Sequence, residues 1–355
     1  MNKIVINARF LTQNITGVQR FAIEISLRLK ESVENIEFVT PSDIRQQKVF
    51  VALGAKVIGS HHGHLWEQID LPKYLKQSGN PLLVNLANMA PLFYKNKIVT
   101  IHDVAYKIFP QTYPKTFLLF YSFVIPRLLH INRHVVTVSE FSRDEISRFY
   151  GVEKKKISVV HNAVSNIFKP TMSDDLGRYF LAVSSMNYRK NFLYILDAFT
   201  RYQQQGGEES LFIIGDLKQK SFNEIDLSQY EDNPQIKFLG RVTDEELVGY
   251  YGRALAFIYP SFYEGFGIPP LEAQACHCPA ICADASCLPE VFGDSVLYCN
   301  PYDPMSLMDK IKRIATDELL RETLIRKGIK NLQRYSWEGS AEKIKAIIDK
   351  LNKEI

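Results

Sequence analysis

Residues 254–291 restrict the possible folds of this chain more than any other stretch. Ala254 to Tyr259 is a short apolar run without polar alternation, closed by Pro260 and Ser261, as expected of a parallel strand covered on both faces. A loop follows in which Gly265 and Gly267 bracket Phe266 and let the backbone come close to a ligand. Pro269 and Pro270 then suit a first helical turn, where the N–H that proline lacks would have no partner anyway. The spacing predicts strand, loop, a helix starting near Pro270, and another strand, which is the repeating unit of a parallel α/β sheet.

The chemistry of this stretch follows from its helix end. The amides of Ile268, Leu271 and Glu272, with the helix dipole, would form an anion site of phosphate size. Glu264 on the loop and Glu272 in the first turn lie on either side of it, with seven residues between them. A lone Glu here would be read as a dipole complement or a solvated loop residue. A ligand reading instead makes both of them acceptors for sugar hydroxyls, and the residues alone leave the two readings open.

At 355 residues, with ordinary apolar and charged fractions, the chain suits two domains. No stretch reaches the roughly 18 to 20 apolar residues of a spanning helix, and Met-Asn-Lys leads straight into an apolar strand, so a cytoplasmic protein is expected. Cys276, Cys278, Cys282, Cys287 and Cys299 all lie in one segment; an odd count in such a chain argues against a disulfide framework. Cys276-His277-Cys278 invites a zinc reading, but its small apolar surroundings favour buried free thiols, and no metal is expected. Charge is unevenly placed: 22 Lys and Arg against 12 Asp and Glu in residues 1–171, net +10, and 21 against 27 in residues 172–355, net −6. A basic half suggests an anionic partner, and charge alone does not choose between a phospholipid surface, a lipid diphosphate and nucleic acid.

Taken in order, Lys3 to Asn7 reads as a strand, and Thr16-Gly17-Val18 opens a helix with Val18, Phe21, Ile25 and Leu29 at helical spacing. Arg20 lies one turn in. No Gly-x-Gly-x-x-Gly follows this strand, which argues against a dehydrogenase. Further strands are expected at 49–51, 82–85, 98–101 and 135–138, and His102-Asp103 ends one of them, placed for chemistry or else a packed His with a capping Asp. The aromatic run Phe117 to Ile125, flanked by Lys115 and Arg127, reads either as core or as a surface that touches a bilayer, with Arg20, Arg28 and Lys30 able to join that face. Ile157 to Val160 closes this strand set, and Asn162 to Thr171 reads as the linker. A second set starts at Leu181 to Ser184, and Arg189-Lys190-Asn191 opens a helix carrying Phe192, Ile195, Leu196 and Phe199 on one face. Cations at a helix start conflict with its dipole unless an anion joins them. Strands at 211–214 and 236–239, the latter followed by Gly240-Arg241, lead to the helix before Ala254, and helices from Pro304 onward end in one over Glu342 to Leu351.

Several of these stretches together resemble the retaining GT-B glycosyltransferases of family 4, nearest to their mannosyltransferase-B-like branch. They are Thr-Gly-Val at 16–18, His-Asp at 102–103, Ser-Glu-Phe-Ser at 139–142, Arg-Lys-Asn at 189–191 and Glu-Gly-Phe-Gly-Ile-Pro at 264–269. The chain departs from the family pattern at Asn162-Ala163-Val164, at Ser184 or Ser185 and at His277, where glycine is usual.

The resemblance implies an α/β fold of two Rossmann-like domains with parallel sheets facing across a cleft, residues 1–165 and 166–336, the last helix (337–355) returning to the first domain. It implies transfer of a hexose from a nucleotide diphosphate sugar, with retention and without metal or other cofactor, to a lipid-linked saccharide acceptor, and no nucleic-acid partner. Gly17, Arg20, Gly240, Arg241, Gly265, Phe266, Gly267, Ile268, Leu271 and Glu272 would bind the donor. Arg189, Lys190 and Glu264 would serve the departing diphosphate and the sugar. His102 and Asp103 would position sugar or acceptor, a donor phosphate oxygen taking the acceptor's proton. A sugar-nucleotide epimerase or hydrolase of the same fold, and a silent nucleotide-sugar binding protein, are the rival readings.

Overall fold

The computed structural model describes residues 3–171, 177–183, 187–215, 227, 230 and 232–353. The chain divides into two units, one of Met1–Val104, Tyr113–Asn162 and Ser336–Ile355, the other of Ala105–Thr112 and Ala163–Tyr335.

The first unit is built on β1 (Ile4–Asn7), β2 (Ile36–Thr40), β3 (Lys56–Val57), β4 (Leu82–Asn85), β5 (Lys97–Thr100), β6 (His134–Thr137) and β7 (Ile157–Val159). All pairs are parallel, in the order β3-β2-β1-β4-β5-β6-β7. The order reverses between β1 and β4, the place where an open parallel sheet leaves room for a ligand beyond its strand ends. The central strands are fully buried because helices cover both faces. One expected strand was wrong: residues 49–51 lie in the helix Gln47–Leu53, whose Val51 faces solvent. The real second strand, β2, was missed because Glu37 interrupts its apolar pattern; its carboxylate is held by Lys3 at 2.6 Å.

The closing helix Trp337–Lys353 belongs to this unit and starts earlier than its apolar spacing suggested. Trp337 packs edge-on against Phe21 of the helix Gly17–Ser32, and Ser340 donates its hydroxyl to the His161 carbonyl at 2.7 Å. Arg28 is not a free surface cation, since it bridges Glu24 and Glu338, each at 2.7 Å.

The second unit carries β8 (Tyr179–Val183), β9 (Ser210–Ile214), β10 (Ile236–Gly240), β11 (Ala256–Tyr259), β12 (Ala280–Ala283) and β13 (Leu297–Cys299). These are again parallel, in the order β10-β9-β8-β11-β12-β13, reversing between β8 and β11. The run that dominates the sequence is thus the central strand β11, with Phe257 opposite Leu181 on one side and Ala280 on the other. Ala105–Thr112, expected in the first domain, belongs here because the Phe109 ring packs 6.2 Å from both Phe262 and Tyr263. All five cysteines are free and buried, and burial pushes the Cys276 thiol up to about 12 and Cys299 to about 11, which favours the protonated form of these two.

Candidate active site

The reversal between β8 and β11 is where the second unit gathers charge. After β8 the chain makes a tight turn, Tyr188–Lys190, with the Arg189 amide donating to Asn187 Oδ1 at 3.0 Å. Asn191 takes a left-handed conformation (φ 57°), anchored by its Nδ2 donating to the Pro301 carbonyl at 2.8 Å. The helix therefore begins at Phe192, and Arg189 and Lys190 precede it rather than open it. Ser184 and Ser185 lie outside the described residues.

Both cations turn to one carboxylate. Lys190 Nζ lies 2.6 Å from Glu264 Oε1 and also donates to the Tyr259 hydroxyl at 2.8 Å. Arg189 reaches Glu264 Oε2 at 3.0 Å and donates to the Tyr263 carbonyl. These side chains are 10 to 16 % exposed. Burial alone would push the Glu264 carboxyl up; Arg189 and Lys190 outweigh it and hold it at about 2. Burial, then the Glu264 charge, keeps the Tyr259 phenol neutral. Two cations thus share this one carboxylate in a mostly dry site, an arrangement suited to chemistry on an anion.

The glycine loop sits beside this cluster in the chain. The Glu264 amide donates to Ser286 Oγ at 3.0 Å, and Gly267 adopts φ 90°, where an added Cβ would stand 2.8 Å from Leu288 Cδ2. Gly267 caps the helix Ile268–Ala275, which starts two residues earlier than expected. By helix geometry Leu271 is then the first amide with an intrahelical acceptor, so the amides open to an anion are those of Gly267 and Ile268, not of Leu271 and Glu272. Gly265 is buried in the loop, Phe266 packs edge-on against Tyr335 at 5.3 Å, and Leu271 and Glu272 are buried in the helix. Gly240 (φ 71°) ends the edge strand β10, and Arg241 after it is exposed; neither is brought into the ion cluster by the contacts described above.

In the first unit, His102 follows β5 and is 5 % exposed. Its amide donates to Asn88 Oδ1 at 2.8 Å, and its Nε2 meets the Leu86 carbonyl at 3.1 Å. A carbonyl only accepts, so Nε2 carries the proton and Nδ1 keeps a lone pair. Burial lowers its pKa and favours this neutral form, while Phe21 packs edge-on against the ring at 5.0 Å. Asp103 is half-buried beside it. Gly17 is exposed at the start of its helix, and Arg20 is half-buried one turn later.

Two family models divide the chain: "Glycosyltransferase Family 4" matches residues 15–166 and "Glycosyl transferases group 1" residues 164–331. The O-antigen chain mannosyltransferase RfbU of Salmonella typhimurium is 32 % identical over 248 residues, covering 68 % of this chain and 67 % of that protein. The chain belongs to glycosyltransferase family 4.

The O-antigen chain mannosyltransferase B of Escherichia coli is 26 % identical to this glycosyltransferase over 95 % of this chain and 97 % of its own. Among solved structures, Anabaena HepE in complex with UDP and glucose superposes with a TM-score of 0.76 at 16 % identity, over 99 % of this chain and 100 % of that one. WaaG, a glycosyltransferase of lipopolysaccharide biosynthesis, gives 0.72 at 15 %, over 97 % and 99 %. These likenesses show the GT-B fold. Sequence reasoning about this glycosyltransferase missed Tyr259, which looked like strand core, and Ser286, which has no motif at all; a hydroxyl at the carboxyl end of a central strand was the available signal.

Proposed function

We propose that this glycosyltransferase moves a hexose, mannose or a relative, from a nucleotide diphosphate sugar to a saccharide acceptor during synthesis of a surface polysaccharide. The observation that carries this reading is the pair of half-buried cations, Arg189 and Lys190, sharing the buried Glu264 at the point where the second sheet reverses. The positive charge of Arg189 and Lys190 meets the charge that grows on a departing diphosphate, and the Gly267 and Ile268 amides add to it. Because the cations already supply this stabilisation, the reading needs no metal ion. Transfer proceeds with retention, a donor phosphate oxygen taking the acceptor's proton, so no dedicated base is required. The Nδ1 lone pair of His102 serves as an acceptor for a sugar hydroxyl, with Asp103 as its neighbour, and Glu272 holds the ribose hydroxyls.

The acceptor in this reading is carried on a lipid, and the first unit meets the cytoplasmic membrane face from outside. No helix among the described residues is long and apolar enough to cross a membrane, whereas the helix Lys115–His130 exposes Leu119, Phe120 and Phe123 beside Lys115 and Arg127.

Incubating the enzyme with GDP-, UDP- and dTDP-hexoses, with and without mannose-terminated saccharides, tests the reading. Nucleoside diphosphate release that needs the acceptor is expected, undiminished by a chelator, with the donor's anomeric configuration kept in the product. Release without acceptor would mean a hydrolase or epimerase, and nucleotide binding without release a silent binding protein.

A further inference from the structure

The first sheet also reverses its order, between β1 and β4, and a second buried charge cluster occupies that reversal. Asn7, at the end of β1, donates from Nδ2 to Glu67 Oε1 at 2.8 Å and to Asn85 Oδ1, at the end of β4, at 3.0 Å. Arg9 Nε stands 3.0 Å from Glu67 Oε2, close enough for an ion pair but off the N–H axis. His64 Nδ1 lies 3.3 Å from the same oxygen, which leaves Nε2 of its half-exposed ring as an acceptor when the ring is neutral. Glu67 is 1 % and Arg9 9 % exposed. Burial pushes the Glu67 carboxyl up, and Arg9, His64 and Asn7 more than reverse that, so it stays ionised.

A buried ion pair adds little net stability after its desolvation cost, so its presence at a ligand-binding position asks for another reason. Both Glu67 oxygens are taken, but the terminal guanidinium nitrogens of Arg9 meet no acceptor among the described residues. Tyr121 is drawn into the same field: burial raises its pKa, and the charges of Arg9, Glu67 and Asp103 all reach its hydroxyl. The Phe120 ring, half open to solvent, lies 5.2 Å from the His64 ring. An arginine with free donors, an imidazole acceptor and an aromatic face are the groups that hold a sugar ring. The pair Arg9 and Glu67 has no net charge, which suits a neutral sugar and not a phosphate.

We propose that Arg9 and His64, oriented by Glu67, bind the acceptor's terminal sugar through neighbouring uncharged hydroxyls. Glu67 is a positioning residue; Arg9 and His64 touch the sugar. The inference rests on the transferase reading for the word acceptor, but the sugar site itself does not need turnover to be seen.

Saturation-transfer NMR with methyl α-mannopyranoside, methyl α-glucopyranoside and mannose 6-phosphate tests it on the full chain. Transfer to at least one neutral methyl glycoside is expected, no weaker than to the phosphate. Arg9→Met and His64→Ala should each cut it by about fivefold or more, since each removes a hydrogen bond from the sugar, while Lys190→Ala should not. Calorimetric affinity for GDP and UDP should be the same in Arg9→Met and His64→Ala as in the wild type. Because Arg9→Met strands a buried carboxylate, His64→Ala, which leaves the Arg9 and Glu67 pair intact and should keep the wild-type melting temperature, is the decisive variant. Absence of transfer to any neutral sugar, preference for mannose 6-phosphate, or wild-type signals in His64→Ala would overturn the proposal. If no donor is ever turned over but the neutral-sugar signal depends on His64, the transferase reading fails and the sugar site stands. Where turnover is found, Glu67→Gln should raise the acceptor KM about tenfold at unchanged donor KM, a split that general destabilisation does not produce.

Discussion

The two sheets of this enzyme reverse their strand order in the same way, and each holds a buried carboxylate at the reversal, yet the carboxylates keep different company. Glu264 is shared by two cations, Arg189 and Lys190; Glu67 faces one arginine, Arg9, with the His64 ring beside it. In the proposed reading, that difference would suit one scaffold position to a diphosphate in the second unit and to an uncharged saccharide in the first. The fold supplies the place, and the count of charges there selects the ligand. Lys97 sharpens the point from the opposite, amino end of β5. It is fully buried with no carboxylate in ion-pair reach among the described residues, donates to the Leu92 and Tyr94 carbonyls at 3.1 and 2.7 Å, and burial lowers it to about 7. Burial without a carboxylate lowers the pKa of a cation, and a carboxylate beside it works against that.

The largest effect should come from taking one cation out of the second cluster. Lys190→Ala leaves Glu264 and Arg189 as a neutral pair, like that of the first unit, and should lower turnover about a hundredfold, since it removes a donor to a developing anion. Wild-type turnover in this variant would break the comparison at once. Glu272→Ala should be milder, weakening nucleoside diphosphate affinity about tenfold with little effect on neutral-sugar binding, as expected for one lost charge-assisted hydrogen bond. Unchanged calorimetric affinity would remove Glu272 from the ribose.

Lys97 gives a pH test. Its folded pKa, about 7, lies below the ordinary 10.5, so between these values the unfolded chain binds the extra proton. Stability should therefore rise as pH goes from 7 towards 10, by up to about 1.4 kcal/mol per pH unit, and be flat in this contribution below 7. Denaturant melts across that range should lose this slope in Lys97→Met; an equal slope in the variant would mean that the amine is charged in the fold.

Legibility of the two halves in the sequence differed for a physical reason. The glycine-loop part of the second unit's site is local: Glu264, Gly267, Ile268 and Glu272 fall within nine residues, so their spacing and the two prolines disclosed a strand, a turn and an anion-facing helix end, while Arg189 and Lys190 were legible only as a separate Arg-Lys-Asn stretch. Even so, the helix start was misplaced by two residues, because Gly267 can cap it only in a left-handed conformation that spacing does not reveal. The first unit's cluster joins Arg9, Glu67 and Asn85, separated by 58 and 18 residues, and nothing along the chain marks them until the sheet closes. Strand order, and with it the point of reversal, is a tertiary property. The misread segment 49–51 shows the same limit, a short apolar run in a helix that half-buries Val49 and Phe50 and exposes Val51.

The smallest effect expected concerns the outer surfaces, where the halves again differ in charge, +10 for residues 1–171 and −6 for residues 172–355. On the helix Lys115–His130, Leu119 is 77 % and Phe123 51 % exposed, with the Arg127 guanidinium stacked 3.5 Å from the Phe123 ring, while Val124 and Ile125 turn into the core. The aromatic run is thus neither wholly core nor wholly surface. An apolar edge beside cations should bind anionic bilayers weakly, and the attraction should fade with salt because charge is screened within about 10 Å at 0.1 M ionic strength. In liposome flotation, recovery should be a few-fold higher on anionic than on neutral vesicles, and Leu119→Ser with Phe123→Ser should remove the difference without altering GDP or UDP affinity. Recovery that is equal on both vesicles, or that ignores salt, would place the charge difference between the halves in the service of the donor and acceptor alone.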